Sequence, residues 1–304
     1  MVFASIIFLF YFLPAVLLGY FLLPARPAVR NLFLFLVSLV FYMSGEAWFV
    51  LLMLGSALVD YVCGGVIERE FEKAGLPLDR RAGVRRTGLQ RAALWTSLLF
   101  NLGALGFFKY FYFTLDNYNA LCSLLGLESL TWSATLRITL PLGISFYTFQ
   151  TLSYTLDVYR GHVQGTRRFV DFGCFVTMFP QLIAGPIVRY SQVEKELRKR
   201  TVTIAMFAEG AALFIVGLGK KVIFANILAE PTDRIFAIPH DQLPAGVAWI
   251  GAVFFTLQLF FDFAGYSDMA RGMGRMFGFD FPINFNYPYI SRTVAEAWTR
   301  WHIT

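Results

Sequence analysis

The sequence predicts an all-α fold, a polytopic bundle of transmembrane helices, and three observations predict it. Of its 304 residues, 57% are hydrophobic and only 15% charged, against about 25% charged in an ordinary soluble domain. The apolar residues are gathered into runs, several of which reach the roughly 20 residues that a helix needs to cross a bilayer. The basic residues fall in short loops between those runs, the pattern that orients a membrane protein.

The same numbers narrow the function classes. The net charge of +6 would suggest nucleic acid in a soluble chain. Here the basic residues serve topology, and no aromatic-plus-basic stripe offers base stacking, so no nucleic acid partner is expected. The 34 Phe and 14 Tyr suit lipid contact and interfacial belts. Cys63, Cys122 and Cys174 lie far apart with no CxxC spacing, which argues against a disulfide framework and a zinc site. Neither a metal nor a bound cofactor is expected.

Residues 2–23 are apolar, without a basic leader or a small-residue cleavage site, and predict a retained first helix rather than a signal peptide. Pro24 ends it, and Arg26 and Arg30 make the following loop basic. Residues 32–43 and 47–67 predict a helical hairpin broken at 44–46. The next loop carries Arg69, Lys73, Arg80, Arg81, Arg85, Arg86 and Arg91. Both basic loops then lie on one face, the cytoplasmic one, with the N-terminus outside. A span is expected over 92–111, then an outer connection with short amphipathic pieces over 112–135, then a span over 136–158 returning to Arg160, Arg167 and Arg168. Lys109 would sit near the outer end, where it must snorkel or pair.

Residues 169–190 are apolar but hold Pro180, Gly185 and Pro186, with basic residues on both sides. A re-entrant element fits better than a crossing, and such backbone survives only inside protein or beside a water-filled cavity. Residues 191–200 read as a solvated, charged helix face. A helix over 203–229 contains Lys220 and Lys221. Two ammonium groups at mid-membrane are costly, so the helix breaks there or the lysines reach an aqueous pocket. Residues 247–263 form another span. One integral-membrane domain over 1–304 is expected.

Chemistry concentrates in the last forty residues. Asp262 and Asp268 are ionisable groups at membrane depth, a default sign of function; equally, Asp268 pairs with Arg271 one turn on and anchors a helix end. Thr293 and Glu296 fit a capping box, which predicts a short helix. On it Trp298 and His302 share a face, with Trp301 nearby, while Glu296 and Arg300 pair on the other side. From position alone His302 is a packed core residue as readily as a catalytic one.

Six segments in order, PLGISFYTFQ at 141–150 with DVYR at 157–160, FPQLIAGPI at 179–187, GKK at 219–221, FAGYSD at 263–268, FPINFNYPY at 281–289 and WTRWHIT at 298–304, resemble the membrane-bound O-acyltransferase (MBOAT) family. The resemblance covers almost the whole chain. It is nearest to the branch that acetylates alginate and transfers D-alanine to teichoic acid. It implies an MBOAT-type helical bundle with re-entrant elements, incomplete at the C-terminus, in the inner (plasma) membrane of a bacterium.

It implies further that His302 is the first of two functional histidines, the second lying beyond Thr304; His162 and His240 are loop residues that fit neither. Gln181, Asp268, Asn284, Asn286, Tyr287, Trp298 and Trp301 are candidates for the substrate path. The asparagines and Tyr287 serve equally as turn residues around Pro282 and Pro288, and the tryptophans as packing. The implied reaction is acyl transfer from a cytoplasmic thioester, acetyl-CoA or an acyl carrier protein. The acceptor is a hydroxyl across the membrane, either on a secreted polysaccharide such as alginate or reached through a periplasmic or extracellular acetyltransferase partner. D-alanyl transfer to teichoic acid is the alternative acyl chemistry. A transporter is disfavoured by the absence of an internal repeat; a non-catalytic assembly subunit docking partners on its basic loops is the third reading.

Overall fold

A computed structural model describes residues 2–127, 130–132, 138–183, 185–239 and 241–304. Among the described residues all regular structure is helical. In chain order the helices are α1 (Leu13–Leu22), entered through a π-helical turn at Phe8–Phe12, α2 (Pro27–Met43), α3 (Phe49–Lys73), α4 (Gly88–Leu124), α5 (Ile144–Arg160), α6 (Phe169–Thr177), α7 (Phe179–Leu182), α8 (Tyr190–Arg198), α9 (Ile204–Gly219), α10 (Asn226–Phe236), α11 (Ala245–Met276) and α12 (Val294–Arg300). Among the described residues four stretches are long and apolar enough to cross a membrane: Phe49–Lys73, Gly88–Leu124, Ile204–Phe236 and Ala245–Met276. The chain is a multi-pass membrane protein. It divides into two compact units, Met1–Gly45 with Thr177–Thr304, and Glu46–Val176.

In the unit Glu46–Val176, α4 corrects the expected boundaries. The connection expected from residue 112 is helical as far as Leu124. No proline or glycine interrupts 107–124. The first stop signal is Gly126, whose φ of 68° suits a residue without Cβ. Leu127 N–H then donates to Cys122 C=O at 2.8 Å and Gly126 N–H to Ser123 C=O at 3.2 Å, closing a Schellman motif. At 37 residues α4 is about 55 Å long and exceeds the hydrocarbon layer. Lys109 rests its ammonium 5.6 Å from the centroid of Tyr110, one way to carry a charge near the interface. The span expected to start at 136 starts as helix at Ile144, after left-handed Gly143; residues 136 and 137 lie outside the described residues.

Polar groups bind α3, α4 and α5 together. Buried Asp60 on α3 accepts from Asn101 Nδ2 at 2.7 Å, Thr155 Oγ1 at 2.8 Å and the Ser97 hydroxyl. Carboxylates are tolerated at such depth when hydrogen-bonded in this way. At the basic end, Arg81 and Glu68 form a buried two-pronged pair at 2.6 and 2.9 Å, and Gly165 N–H also donates to Glu68 at 3.0 Å. His162 is an exposed loop residue, its Nδ1 3.8 Å from Asp157; His240 lies outside the described residues.

The apolar stretch 169–190 is broken, as its prolines require. α6 ends at Thr177, and α7 is a four-residue piece whose residues are all buried. Neither piece is long enough to cross a bilayer.

In the other unit, α9 and α11 lie in close backbone contact through two reciprocal glycine pairs. A Cβ on Gly210 would fall 2.7 Å from Gly272 C=O, and one on Gly217 2.6 Å from Gly265 C=O. The pairs are seven residues apart on both helices, two turns, so one seam serves both. Small residues at such seams are how membrane helices approach closely without a hydrophobic driving force between them. Beside the seam, α9 loosens into a π-helical stretch at Lys220–Ala225 before α10. Its two lysines pair with α11: Lys220 with Asp268 at 2.6 Å and Lys221 with Asp262. The helix does not break at these residues, as one expectation had it: it widens into the π-helical stretch and continues into α10. Lys221 reaches a cavity wall, and the charges are met by opposite charges.

Candidate active site

α11 stops at Phe277 because Gly278 adopts a left-handed φ of 87°. Buried Tyr20 donates its hydroxyl to Phe277 C=O at 2.6 Å, and Arg200 donates to that Tyr20 oxygen at 2.9 Å. The extended segment that follows runs beside the last residues of the chain. Asn286 N–H donates to Arg300 C=O at 2.9 Å, and Ile303 N–H to Asn284 C=O at 3.0 Å. Buried Asn284 adds its side chain, whose Oδ1 accepts from Thr304 Oγ1 at 3.1 Å. Thr304 Oγ1 in turn accepts from Ile187 N–H at 2.9 Å. Three of the segments singled out in sequence, 179–187, 281–289 and 298–304, therefore meet at one place.

This pairing decides the position of His302. Half of the expected capping box is formed, Thr293 accepting from Glu296 N–H at 3.1 Å, but Glu296 does not return to Thr293 N–H. Glu296 reaches back to Arg292 N–H at 2.9 Å and across to Arg300 Nε at 3.0 Å. The Arg292 hydrogen bond, then Arg300, holds its carboxyl below the usual range. The helix, however, ends at Arg300. Trp301 is extended (φ −101°, ψ 126°) and His302 left-handed (φ 47°). The face shared by Trp298 and His302 is not formed, because residues 301–304 leave the helix to pair with Asn284. Trp298 is 70% exposed and walls nothing off.

The ring that meets His302 is Phe263 of α11, edge-on at 4.9 Å between centroids. Phe285 packs against Phe263 at 5.1 Å and against Trp301 at 5.1 Å. Phe260 and Tyr289 complete the cluster around Trp301, and the Tyr289 hydroxyl donates to Thr256 C=O at 3.0 Å. Phe263 also lines a cavity of about 310 Å³, together with Lys221, Asp262, Tyr266, Met269 and Phe3. One ring therefore touches both the imidazole and the wall of a space lined by an ion pair.

The other candidates separate into groups. Asn284 is at the site as a clamp on residues 303–304. Asn286 acts through its backbone. Tyr287, left-handed at φ 48° and 74% exposed, turns the chain before Pro288. Gln181 is buried in α7, and the segment after α7 reaches Thr304 through Ile187. Asp268 belongs to the cationic cluster, 2.6 Å from Lys220 and 3.4 Å from Arg271; the functional and the anchoring expectation for it meet in one network. Sequence reasoning assigned no role to Phe263, although it opens the FAGYSD segment, nor to Asp60, although a lone carboxylate inside an apolar run is itself the signal.

Residues 163–304 match a family model described as MBOAT, membrane-bound O-acyltransferase family. The probable alginate O-acetylase AlgI of Pseudomonas aeruginosa is 42% identical over 304 residues, all of this chain and 55% of that protein. The protein of the same name from Azotobacter vinelandii is 45% identical, covering all of this chain and 57% of that one. The peptidoglycan O-acetyltransferase of Helicobacter pylori is 34% identical, covering all of this chain and 59% of that one. The chain spans just over half the length of these relatives.

Proposed function

We propose that the chain belongs to the membrane-bound O-acyltransferase family, whose model matches residues 163–304, and that the full-length protein is an O-acetyltransferase for a secreted polysaccharide, with alginate the favoured acceptor. The observation that carries the reading is the placement of His302, fixed by the pairing of residues 284–286 with 300–304 and set against Phe263 beside a cavity. Identity over all 304 residues to proteins named for alginate O-acetylation supports acetyl as the group and alginate as the acceptor.

The chemistry asks for a base. A sugar hydroxyl is a poor nucleophile until its proton leaves, and an imidazole titrates near neutrality. His302 takes that proton while the oxygen attacks the thioester carbonyl of the donor. The C–O bond forms, the C–S bond breaks, and the proton passes to the departing thiolate. A positioned general base contributes about 10²–10⁴-fold. Acetyl-CoA or an acetylated acyl carrier protein supplies the thioester from the cytoplasm, across a bacterial inner membrane. The acceptor is the polymer itself or an acetyltransferase partner on the far side.

The test is His302→Ala in the full-length protein, with ester-linked acetyl measured on the secreted polymer and insertion checked by membrane fractionation. Loss of acetyl with normal insertion is expected. Wild-type acetylation removes His302 from the mechanism.

A further inference from the structure

A second cavity, of about 400 Å³, lies at the basic end of α3 and is lined by Tyr61, Val62, Gly65, Arg69, Glu72 and Arg167 among others. It lies wholly in the unit Glu46–Val176, and the proposed reaction makes no use of it. Its wall carries two arginines and two glutamates, but both glutamates are engaged. Glu68 is taken up by buried Arg81, which lies outside the wall, and Glu72 pairs with Arg167 at 2.6 Å through one nitrogen. Among the described residues Arg69 makes no ion pair, and Arg167 keeps free donors beyond the one that Glu72 uses.

The apolar approach to this cavity is a single helix face. Leu51, Gly55, Leu58, Val62, Gly65 and Arg69 are spaced four and three residues apart and so share one side of α3. Leu51, Leu58 and Val62 are more than half exposed. From Leu51 to Arg69 the face is about 27 Å long, close to the roughly 30 Å of a hydrocarbon layer. The glycines separate packing from open space. A Cβ on Gly64 would strike the Tyr154 ring at 2.4 Å, whereas one on Gly55 or Gly65 would meet nothing within 4 Å. Gly64 is required by the packing of α5. Gly55 and Gly65, which weaken the helix, hollow a face that no described residue of the unit Glu46–Val176 fills at these two positions.

We propose that this cavity is a binding site for an anionic phospholipid. Its phosphate lies between Arg69 and Arg167, and one acyl chain lies along the hollowed face past Gly65 and Gly55. The positive-inside rule puts this end of α3 in the cytoplasmic leaflet, where acidic lipids are drawn to basic pockets between helices. A soluble anion finds the same arginines but gains nothing from the apolar face. The proposal does not depend on the acyl-transfer reading, and its test has no catalytic readout.

The full-length protein in mild detergent is titrated with phosphatidylglycerol, with phosphatidylcholine, and with glycerol 3-phosphate as the chain-free probe, and bound lipid is counted by native mass spectrometry. Phosphatidylglycerol is expected to be retained at the lowest concentration and glycerol 3-phosphate not at all. Arg69→Gln should weaken retention about fivefold, the scale of one basic residue at an anionic membrane surface. Gly65→Leu should plug the site without lowering the thermal midpoint, because a Cβ there meets nothing within 4 Å and a glycine leaves the helix interior. Equal retention of both lipids, binding of glycerol 3-phosphate as tight as that of the lipid, or wild-type retention by both variants overturns the proposal.

Discussion

The imidazole of His302 meets the ring of Phe263 edge-on, with centroids 4.9 Å apart and planes at 78°. Backbone pairing of its neighbours Arg300 and Ile303 holds the chain at His302, and the Phe263 ring packs on the imidazole. An aromatic contact of this type is worth about 0.5–1.5 kcal/mol beyond its area, which is enough to set the orientation of a base. Phe263→Leu keeps the bulk and loses the edge-to-face geometry. We expect polymer acetylation by the full-length protein to fall about tenfold, with normal membrane insertion and near-wild-type melting, since misplacing a catalytic group costs rate before it costs stability. Phe263→Tyr should stay within about twofold if the ring's extra hydroxyl is accommodated by the adjoining cavity. Acetyl ester content of the polymer, compared across the two variants, checks the contrast.

The glycine seam between α9 and α11 makes a sharper structural prediction. Gly217→Ala places a methyl 2.6 Å from Gly265 C=O, backbone that cannot swing aside. Overpacking of this kind costs about 1–3 kcal/mol. Gly219→Ala, two residues on, meets nothing within 4 Å and should gain up to about 1 kcal/mol of helix stability. Thermal melting of the two variants in detergent should move in opposite directions.

What the sequence makes legible, and what it hides, follows from the range of the interactions. The spans at Phe49–Lys73 and Ala245–Met276 stand out because apolar runs report burial in lipid directly. The same index misplaces the end of α4. Asp116, Asn117 and Asn119 lower hydropathy after residue 112 without breaking a helix, and the true stop is the left-handed Gly126. It misplaces the start of α5 too, where Gly143 sets the boundary. Lys220 and Lys221 were flagged by cost, as were Asp262 and Asp268. Their pairing spans 48 and 41 residues and leaves no local trace. His302 shows the limit most directly. Helical spacing carried it onto the face of Trp298, but hydrogen bonds from Asn284 and Asn286 to residues 300–304 pull the chain out of the helix first.

The α12 cap should loosen in acid. Glu296 is held below its usual value first by Arg292 N–H and then by Arg300. A depressed folded-state value contributes stability above the unfolded pKa, and that stability is lost as pH falls through the folded one. The change therefore lies at and below the ordinary Glu range, near pH 4. Hydrogen exchange at residues 293–300, corrected for intrinsic rates, should rise there in the wild type. Glu296→Gln should show the loosened state at every pH and no step. A wild-type profile without a step in this range contradicts the assignment.

The pair Lys221 and Asp262 differs from an ordinary surface bridge because it sits between spanning helices and lines the same cavity as Phe263. Lys221→Met leaves Asp262 as a lone carboxylate, and Asp262→Leu leaves a lone ammonium. A fully buried pair broken in this way costs about 3–5 kcal/mol. Asp262 is about half exposed, so each single substitution should cost only about 1–2 kcal/mol once solvent screening is allowed for. The double variant removes both charges and refills the space with apolar groups, which tends to restore stability. Melting midpoints should therefore rank the double variant above either single one. If the double variant instead melts at the sum of the two losses, the residues act independently and the ion pair does not join the π-helical stretch to α11.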